Sequence, residues 1–196
     1  MSGRSTLFLA AGHGGADRGN IATAHVEADE LLRFVGGMRR WYAANQQPAG
    51  LGGVVVLDDA LDLGGQVATL NRWKLQAADR DLALDLHLDY NIQRPDGGAL
   101  VLYDEHTYCR RFAEWFLARW CAGTGIIPRG CHRSTEAARR WRGWRDFGFT
   151  GMPWPGIIVE LGTLNCARDF AIIQDGVYQA FAARLMVEGW QQAQTW

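Results

Sequence analysis

Four side chains stand out for the chemistry they could do together: His13, Glu27, His87 and Glu160. Two neutral imidazoles plus one carboxylate are a common three-ligand set for a catalytic zinc ion, leaving one coordination position for water or substrate. A second carboxylate beside such a metal can accept the water's proton. Each residue alone also has a plainer reading. His13 sits in Gly12-His13-Gly14-Gly15 and can be a loop histidine beside a tight turn. Glu27 stands where a helix is expected to begin, and a carboxylate is favoured there by the helix dipole. Glu160 interrupts Ile157-Ile158-Val159-Glu160-Leu161. A carboxylate in a buried strand is costly unless it is paired, hydrogen-bonded or next to a metal, so an arginine partner is its alternative explanation.

These residues need elements to position them. Leu7-Phe8-Leu9-Ala10-Ala11 reads as a buried strand that leaves its sheet through the glycines around His13. Leu31, Phe34, Val35, Met38, Trp41 and Tyr42 then recur at helical spacing, and Val54-Val55-Val56-Leu57 reads as a second strand. Gly64-Gly65 opens a weaker helix with Val67, Leu70 and Ala77 on one face. The most regular alternation follows, with Leu82, Leu84, Leu86 and Leu88 on one side and Ala83, Asp85, His87 and Asp89 on the other. Such a strand buries its leucines and aims His87 at a polar space. Residues 99–103 form another strand after the Pro95-Asp96-Gly97-Gly98 turn, and Tyr108, Phe112, Trp115, Phe116 and Trp120 make a helical stripe that reads as core. Residues 123–155, rich in Gly, Arg and Trp, carry no clean assignment. Residues 156–162 are a strand, and Tyr178, Phe181, Ala182, Leu185 and Met186 mark a last helix. This succession predicts an α/β fold: a single domain, residues 1–196, with a mostly parallel central sheet flanked by helices on both faces. In open α/β sheets reactive groups gather beyond the carboxyl ends of the strands, and His13 and His87 both lie late in theirs.

Composition narrows the function classes. Twenty basic against 21 acidic side chains leave a formal net charge of -1, so no global charge draws the chain to nucleic acid or an anionic membrane. Cys109, Cys121, Cys131 and Cys166 show neither a Cys-x-x-Cys pair nor zinc-site spacing and read as buried or isolated thiols. No stretch approaches the roughly 20 apolar residues that span a bilayer. Only Met1-Ser2-Gly3-Arg4-Ser5-Thr6 precedes the first strand, and the expectation is therefore a chain made in the cytoplasm without a signal peptide.

Several segments also carry a resemblance. Ala11-Gly12-His13-Gly14-Gly15-Ala16-Asp17 is similar to a Pro-Gly-His-Gly-Gly-x-Asp opening, and Glu27 precedes a long amphipathic helix. Leu86-His87 stands where a Ser-Ile-His-Ala-Asn strand is expected, Arg129-Gly130 matches an Arg-Gly step, and Met152-Pro153-Trp154-Pro155-Gly156-Ile157-Ile158-Val159-Glu160-Leu161-Gly162 is similar to Met-Pro-Ala-x-Leu-x-Glu-x-Gly-Phe, continued by Asn165 and Asp169. In that order these motifs resemble the zinc-dependent N-acetylmuramoyl-L-alanine amidases of the Amidase_3 type. The resemblance implies Zn2+ held by His13, Glu27 and His87, with Glu160 as the catalytic carboxylate. Asp85, Asp89, Asn91 and Arg129 become candidate substrate-binding residues. Asp85 replaces the family's serine and Asp89 its asparagine, adding negative charge that either orients His87 or lines the substrate groove. Glu30 and His25 compete with Glu27 for the third ligand position.

The implied substrate is peptidoglycan, cut at the amide between the lactyl group of N-acetylmuramic acid and L-alanine. A zinc peptidase or carboxypeptidase on a related scaffold would use the same residues, and a non-catalytic wall-binding or structural module would keep only the fold. Nucleic-acid binding and membrane insertion are not expected, and a monomer is assumed. Without a leader or a separate wall-binding domain, the chain looks like a phage endolysin or tail-associated lysin acting on the cell wall after release or delivery. The Arg/Trp-rich residues 129–154 read either as a cleft wall for sugar rings and peptide carboxylates or as a solvated basic loop with its tryptophans turned inward. The glycines around His13 are expected to keep the metal's open face clear, so that a side chain at Gly14 hinders substrate more than folding.

Overall fold

The computed structural model describes residues 5–22, 25–45, 52–73, 81–93, 95–140 and 148–196. In chain order its first half contains β1 (Thr6–Ala11), β2 (Ile21–Ala22), β3 (His25–Val26), α1 (Glu27–Ala44), β4 (Gly53–Val56), α2 (Leu63–Trp73) and β5 (Leu82–Asp89). The second half contains β6 (Ala99–Tyr103), α3 (Thr107–Thr124), β7 (Pro128–Arg133), α4 (Ser134–Arg140), a 3-10 turn at Gly148–Gly151, β8 (Gly156–Thr163), α5 (Ala167–Gln174) and α6 (Gly176–Ala193). Six strands form one sheet in the order β4-β1-β5-β8-β6-β7. All neighbouring strands are parallel except β6 and β8. Nine residues separate the end of β5 from the start of β6. That span is shorter than the dozen or so residues a parallel crossover requires, so β6 runs back against β8.

The alternation in β5 decides which face each side chain meets. Its four leucines join Leu7 and Leu9 of β1 and Val159 and Leu161 of β8 in the larger core, under α1, α3 and α6. The aromatic stripe of α3 is core, as its spacing predicts: Phe112 stacks on Phe116 at 6.0 Å and Phe116 on Trp120 at 6.2 Å. Trp120 is fully buried and donates its indole N–H to Leu161 O at 2.8 Å, which satisfies the polar end of an otherwise apolar ring. The opposite sheet face packs Phe8, Ala10 and Ala83 against Leu70 of α2 and against Phe149 and Trp154. Helices thus cover both faces. All four cysteines are free thiols, and none of the described helices is long and apolar enough to cross a membrane.

Within the segment left unassigned on sequence, the structure places β7, α4 and the Gly148–Gly151 turn. The β2–β3 ladder and α5 are further elements that apolar periodicity does not reveal, the ladder having two residues per strand. Ala77 and the tryptophans at 141 and 144 lie outside the described residues. Trp154 is 3% exposed and donates to Asn71 Oδ1 at 2.9 Å, so the inward reading holds for it.

Candidate active site

Register brings the four chemical residues to one end of the sheet. Ala11 pairs with Leu86, and the Gly12 N–H extends that ladder by donating to Leu86 O at 2.7 Å. His13 therefore leaves β1 alongside His87. On the other side of β5, His87 pairs with Glu160. α1 starts here as well, with Glu27, Asp29 and Glu30 in its first turn, where the partial positive charge of the helix end favours carboxylates.

The imidazoles converge on Glu27. His13 Nε2 lies 3.3 Å from Glu27 Oε2, and His87 Nδ1 lies 3.4 Å from Glu27 Oε1. The two rings meet edge to face, centroids 4.9 Å apart. Nitrogen and oxygen atoms from His13, Glu27 and His87 all fall within 4.8 Å of one another. Each imidazole has a second carboxylate at its far nitrogen: Asp17 Oδ2 is 2.9 Å from His13 Nδ1, and Asp85 Oδ2 is 3.1 Å from His87 Nε2. Glu27 is itself oriented by the backbone N–H and side-chain amide of Asn20, which donate to Oε2 at 2.9 and 2.7 Å, and by Leu88 N–H, which donates to Oε1 at 2.9 Å.

Glycines shape the space around the rings, though not as the sequence suggests. A Cβ on Gly12 would overlap the His87 imidazole, and one on Gly19 would press on His13 and Glu27 Oε2. Gly19 also has φ +63, a conformation that side-chain-bearing residues rarely adopt. Gly14 corrects an expectation. Its Cβ would stand 2.6 Å from Leu61 O and 2.7 Å from Asp59 O, so a side chain there collides with backbone rather than with an open cleft.

The electrostatics follow from this crowding. Burial disfavours the imidazolium form of both histidines, yet His13 is raised above its usual value because Glu27 outweighs that cost. His87 is raised well above it, with Asp85 first and then Glu27 opposing the burial. Burial likewise works against the charge on Glu27, but the two imidazoles hold its carboxyl far below the usual range. Glu160 goes the other way: burial raises it well above an ordinary carboxyl, with Glu27, Asp89 and Asp85 adding to the shift and His87 opposing it. Glu160 is 6% exposed, and its Oε2 has no hydrogen-bond partner among the described residues. No described arginine forms an ion pair with it.

The other candidates divide by location. Asp85 is almost fully buried beneath His87, whereas Asp89 ends β5 on the face of His87 and is half-buried. Asn91 Oδ1 accepts from Gln93 N–H at 3.0 Å, and Asn165 bridges the Asn91 backbone through both its amide atoms. Arg129 donates from Nε to Gly97 O at 2.6 Å and also meets that carbonyl through Nη2, clamping the 95–98 turn. Glu30 and His25 form a separate group, 3.4 Å apart, with Arg33 at 2.6 Å from Glu30 and the His25 ring over Phe170. Asn20, Gly19 and Asp17 complete the site; none carried a role in the sequence reading, Asp17 entering there only as the last residue of the motif around His13. Asp17, four residues after His13 in a polar loop, is the one that sequence could have suggested.

A second ligand-type group, Asp104, His106 and Cys109, lies at the opposite end of the sheet. Its carboxylate accepts from His106 N–H, the His106 ring and Gly156 N–H, which explains it as a tether between β6, α3 and β8. At the first group the donors fit zinc: two imidazole nitrogens turned to one carboxylate, with an unpartnered buried carboxylate oxygen close by.

Solved structures share this architecture. An N-acetylmuramoyl-L-alanine amidase from Clostridium difficile 630 aligns with a TM-score of 0.76 at 19% identity, over 98% of this chain and 97% of that one. The N-acetylmuramoyl-L-alanine amidase AmiC2 of Nostoc punctiforme aligns at 0.73 and 21% identity over 100% of both chains. The catalytic domain of the CD27L endolysin targeting Clostridia Difficile aligns at 0.61 and 15% identity, over 96% and 98%. Among curated proteins no sequence matches significantly. The sequence pattern of one family, Amidase_3, described as N-acetylmuramoyl-L-alanine amidase, matches residues 7–192. On that match, spanning nearly the whole chain, this protein belongs to the Amidase_3 family.

Proposed function

We propose that the protein is a zinc-dependent N-acetylmuramoyl-L-alanine amidase that hydrolyses the amide between the lactyl group of N-acetylmuramic acid and the L-alanine of the stem peptide in peptidoglycan. The observation that carries this reading is the convergence of His13, Glu27 and His87 beside the buried, unpartnered oxygen of Glu160. His13 Nε2, a Glu27 oxygen and His87 Nδ1 would hold the ion. Zinc bound there lowers the pKa of a coordinated water toward about 7 and polarises a carbonyl.

The residues do the rest. Glu160, whose carboxyl burial raises well above that of an ordinary glutamate, is a stronger base in its ionised form and so suited to taking up and returning a proton. Its Oε2 takes the proton of the attacking water and passes it to the nitrogen of the departing L-alanine as the C–N bond breaks. Asn20 and Leu88 N–H keep the Glu27 carboxylate aimed at both imidazoles throughout. Asp89, on the same strand face as His87, would line the substrate groove in this reading.

Product analysis tests the reading. Digestion of purified muropeptides by the zinc-loaded protein should release peptides beginning with L-alanine and glycans with a free lactyl carboxylate. Cleavage within the stem peptide instead would make it a peptidase, and the absence of any cleavage with zinc bound would leave only a binding role.

A further inference from the structure

Both ligand imidazoles have a carboxylate on the nitrogen turned away from Glu27, but the two carboxylates differ. Asp17 is a surface residue, its side chain 45% exposed and its backbone part of the loop after β1. Asp85 is 1% exposed, lies two residues before His87 on the same strand face, and pairs in register with Ala10 and Ile158. Its Oδ2 meets His87 Nε2 at 3.1 Å, while Oδ1 has no hydrogen-bond partner among the described residues. A carboxylate is an expensive group to bury in the middle of a sheet without full pairing. The family motif has serine at this place, and that side chain is shorter and uncharged.

The ring between them has little freedom. Gly12 crowds the imidazole so closely that it leaves no room for a Cβ, Glu27 stands at Nδ1, and Asp85 stands at Nε2. A neutral imidazole carries its proton on one nitrogen and a lone pair on the other, and the hydrogen bond at one atom decides which is free to bind a metal.

We infer that Asp85 is a positioning residue: by accepting a hydrogen bond from Nε2–H it fixes His87 as an Nδ1 ligand and tightens the zinc site. The inference rests on the amidase reading only for the identity of the ion. Outer carboxylates on metal-bound histidines typically contribute about 10–100-fold in metal affinity. Asp85 is too deep to touch a substrate, so its effect passes through the ring.

Two substitutions separate this role from simple space filling. Asp85→Ser shortens the side chain so that its oxygen no longer reaches Nε2 and removes the charge, whereas Asp85→Asn keeps an oxygen acceptor of the same length without the charge. Nitrogen-15 imidazole spectra of the metal-free proteins, recorded at a pH high enough that the His87 ring is neutral, report its tautomer, and competition with a chromophoric chelator reports zinc affinity. The wild type should show the Nε2–H form. D85S should shift His87 toward Nδ1–H and bind zinc about 10–100-fold more weakly, with D85N between the two, and circular dichroism should show a retained fold. A D85S protein with wild-type tautomer and wild-type zinc affinity overturns the inference. If D85S fails to fold, D85N decides: zinc affinity equal to the wild type overturns the inference, and an intermediate loss supports it. A wild-type chain that binds no zinc at this cluster overturns the inference and the amidase reading together; zinc binding that His87→Ala abolishes and Asp85 substitutions leave intact overturns the inference alone.

Discussion

Gly12 and His87 occupy adjoining space so tightly that the absence of a side chain on the first is what allows the ring of the second to stand beside the end of β1. Gly12→Ala must therefore displace His87 or bend β1 away from Leu86. The expected cost is about 1–3 kcal/mol, as for other overpacked sites, with weakened zinc binding. Thermal melting with and without zinc checks it, and a mutant with unchanged melting and unchanged zinc response would show that the ring can move freely.

At Gly14 the damage should appear as instability. The carbonyls of Asp59 and Leu61 belong to backbone and cannot swing aside as a side chain would. Gly14→Ala is expected to lower the melting temperature by several degrees, on a loss of about 1–3 kcal/mol. Activity per folded molecule should change less than stability does, which calorimetry alongside muropeptide turnover measures.

Glu160→Gln removes the carboxylate proposed to accept and return the proton while keeping a side chain of equal size. Zinc content should stay at the wild-type level, and hydrolysis should fall about 10²–10⁴-fold or more. Elemental analysis and product chromatography on the same preparation give both numbers. Substantial turnover by this variant would assign the proton transfers elsewhere.

The pH response should reverse sign on adding zinc. In the metal-free chain His13 and His87 are raised, so their contribution is fully present below about 6.5 and is lost as pH rises through the folded values. Glu160, also raised, keeps a proton in the folded state that the unfolded chain gives up above about 4.5, so it too lowers stability as pH rises. Glu27 is depressed: its contribution is present above about 4.5 and is lost as pH falls through its low folded value. Metal-free protein should accordingly melt higher near pH 5.5 than at pH 8. Zinc must displace the imidazole protons, so its stabilisation grows with pH and begins to fail already above 6.5 as pH is lowered. Melting curves in chelator and in excess zinc from pH 5.5 to 8.5 would show the two opposed slopes.

Arg129 clamps a turn, and Arg129→Ala should behave accordingly. With the Gly97 carbonyl left without its two guanidinium contacts, a loss of about 1–3 kcal/mol is expected. A mutant of wild-type melting temperature with a raised KM would instead place Arg129 on the substrate.

Where a residue's role is local, it could be read from the sequence. The alternation in β5 separates the leucines from Asp85 and His87 by elementary geometry, and a carboxylate inside Ile157–Leu161 is conspicuous because burial makes it expensive. The aromatic stripe of α3 carries a helical period strong enough to identify itself as core. What escaped depends on contacts that local apolar periodicity does not show. Asn20 matters because the β2–β3 ladder, too short to show a period, turns the chain back and brings Glu27 to it, and Arg129 acts on a carbonyl 32 positions away. β7 is a mostly half-buried, polar run next to the edge of nothing but β6 and so lacks an apolar period, while the Gly14 collision arises only when residues 59–61 are laid over the loop after β1.

The Glu27 carboxylate joins three parts of the chain, taking hydrogen bonds from the loop at Asn20 and from β5 at Leu88 while heading α1. Those bonds are made by backbone and amide donors that need no ion. The fold itself therefore aims this carboxylate, and a chain treated with chelator is expected to keep its fold and to take up zinc again without a refolding step.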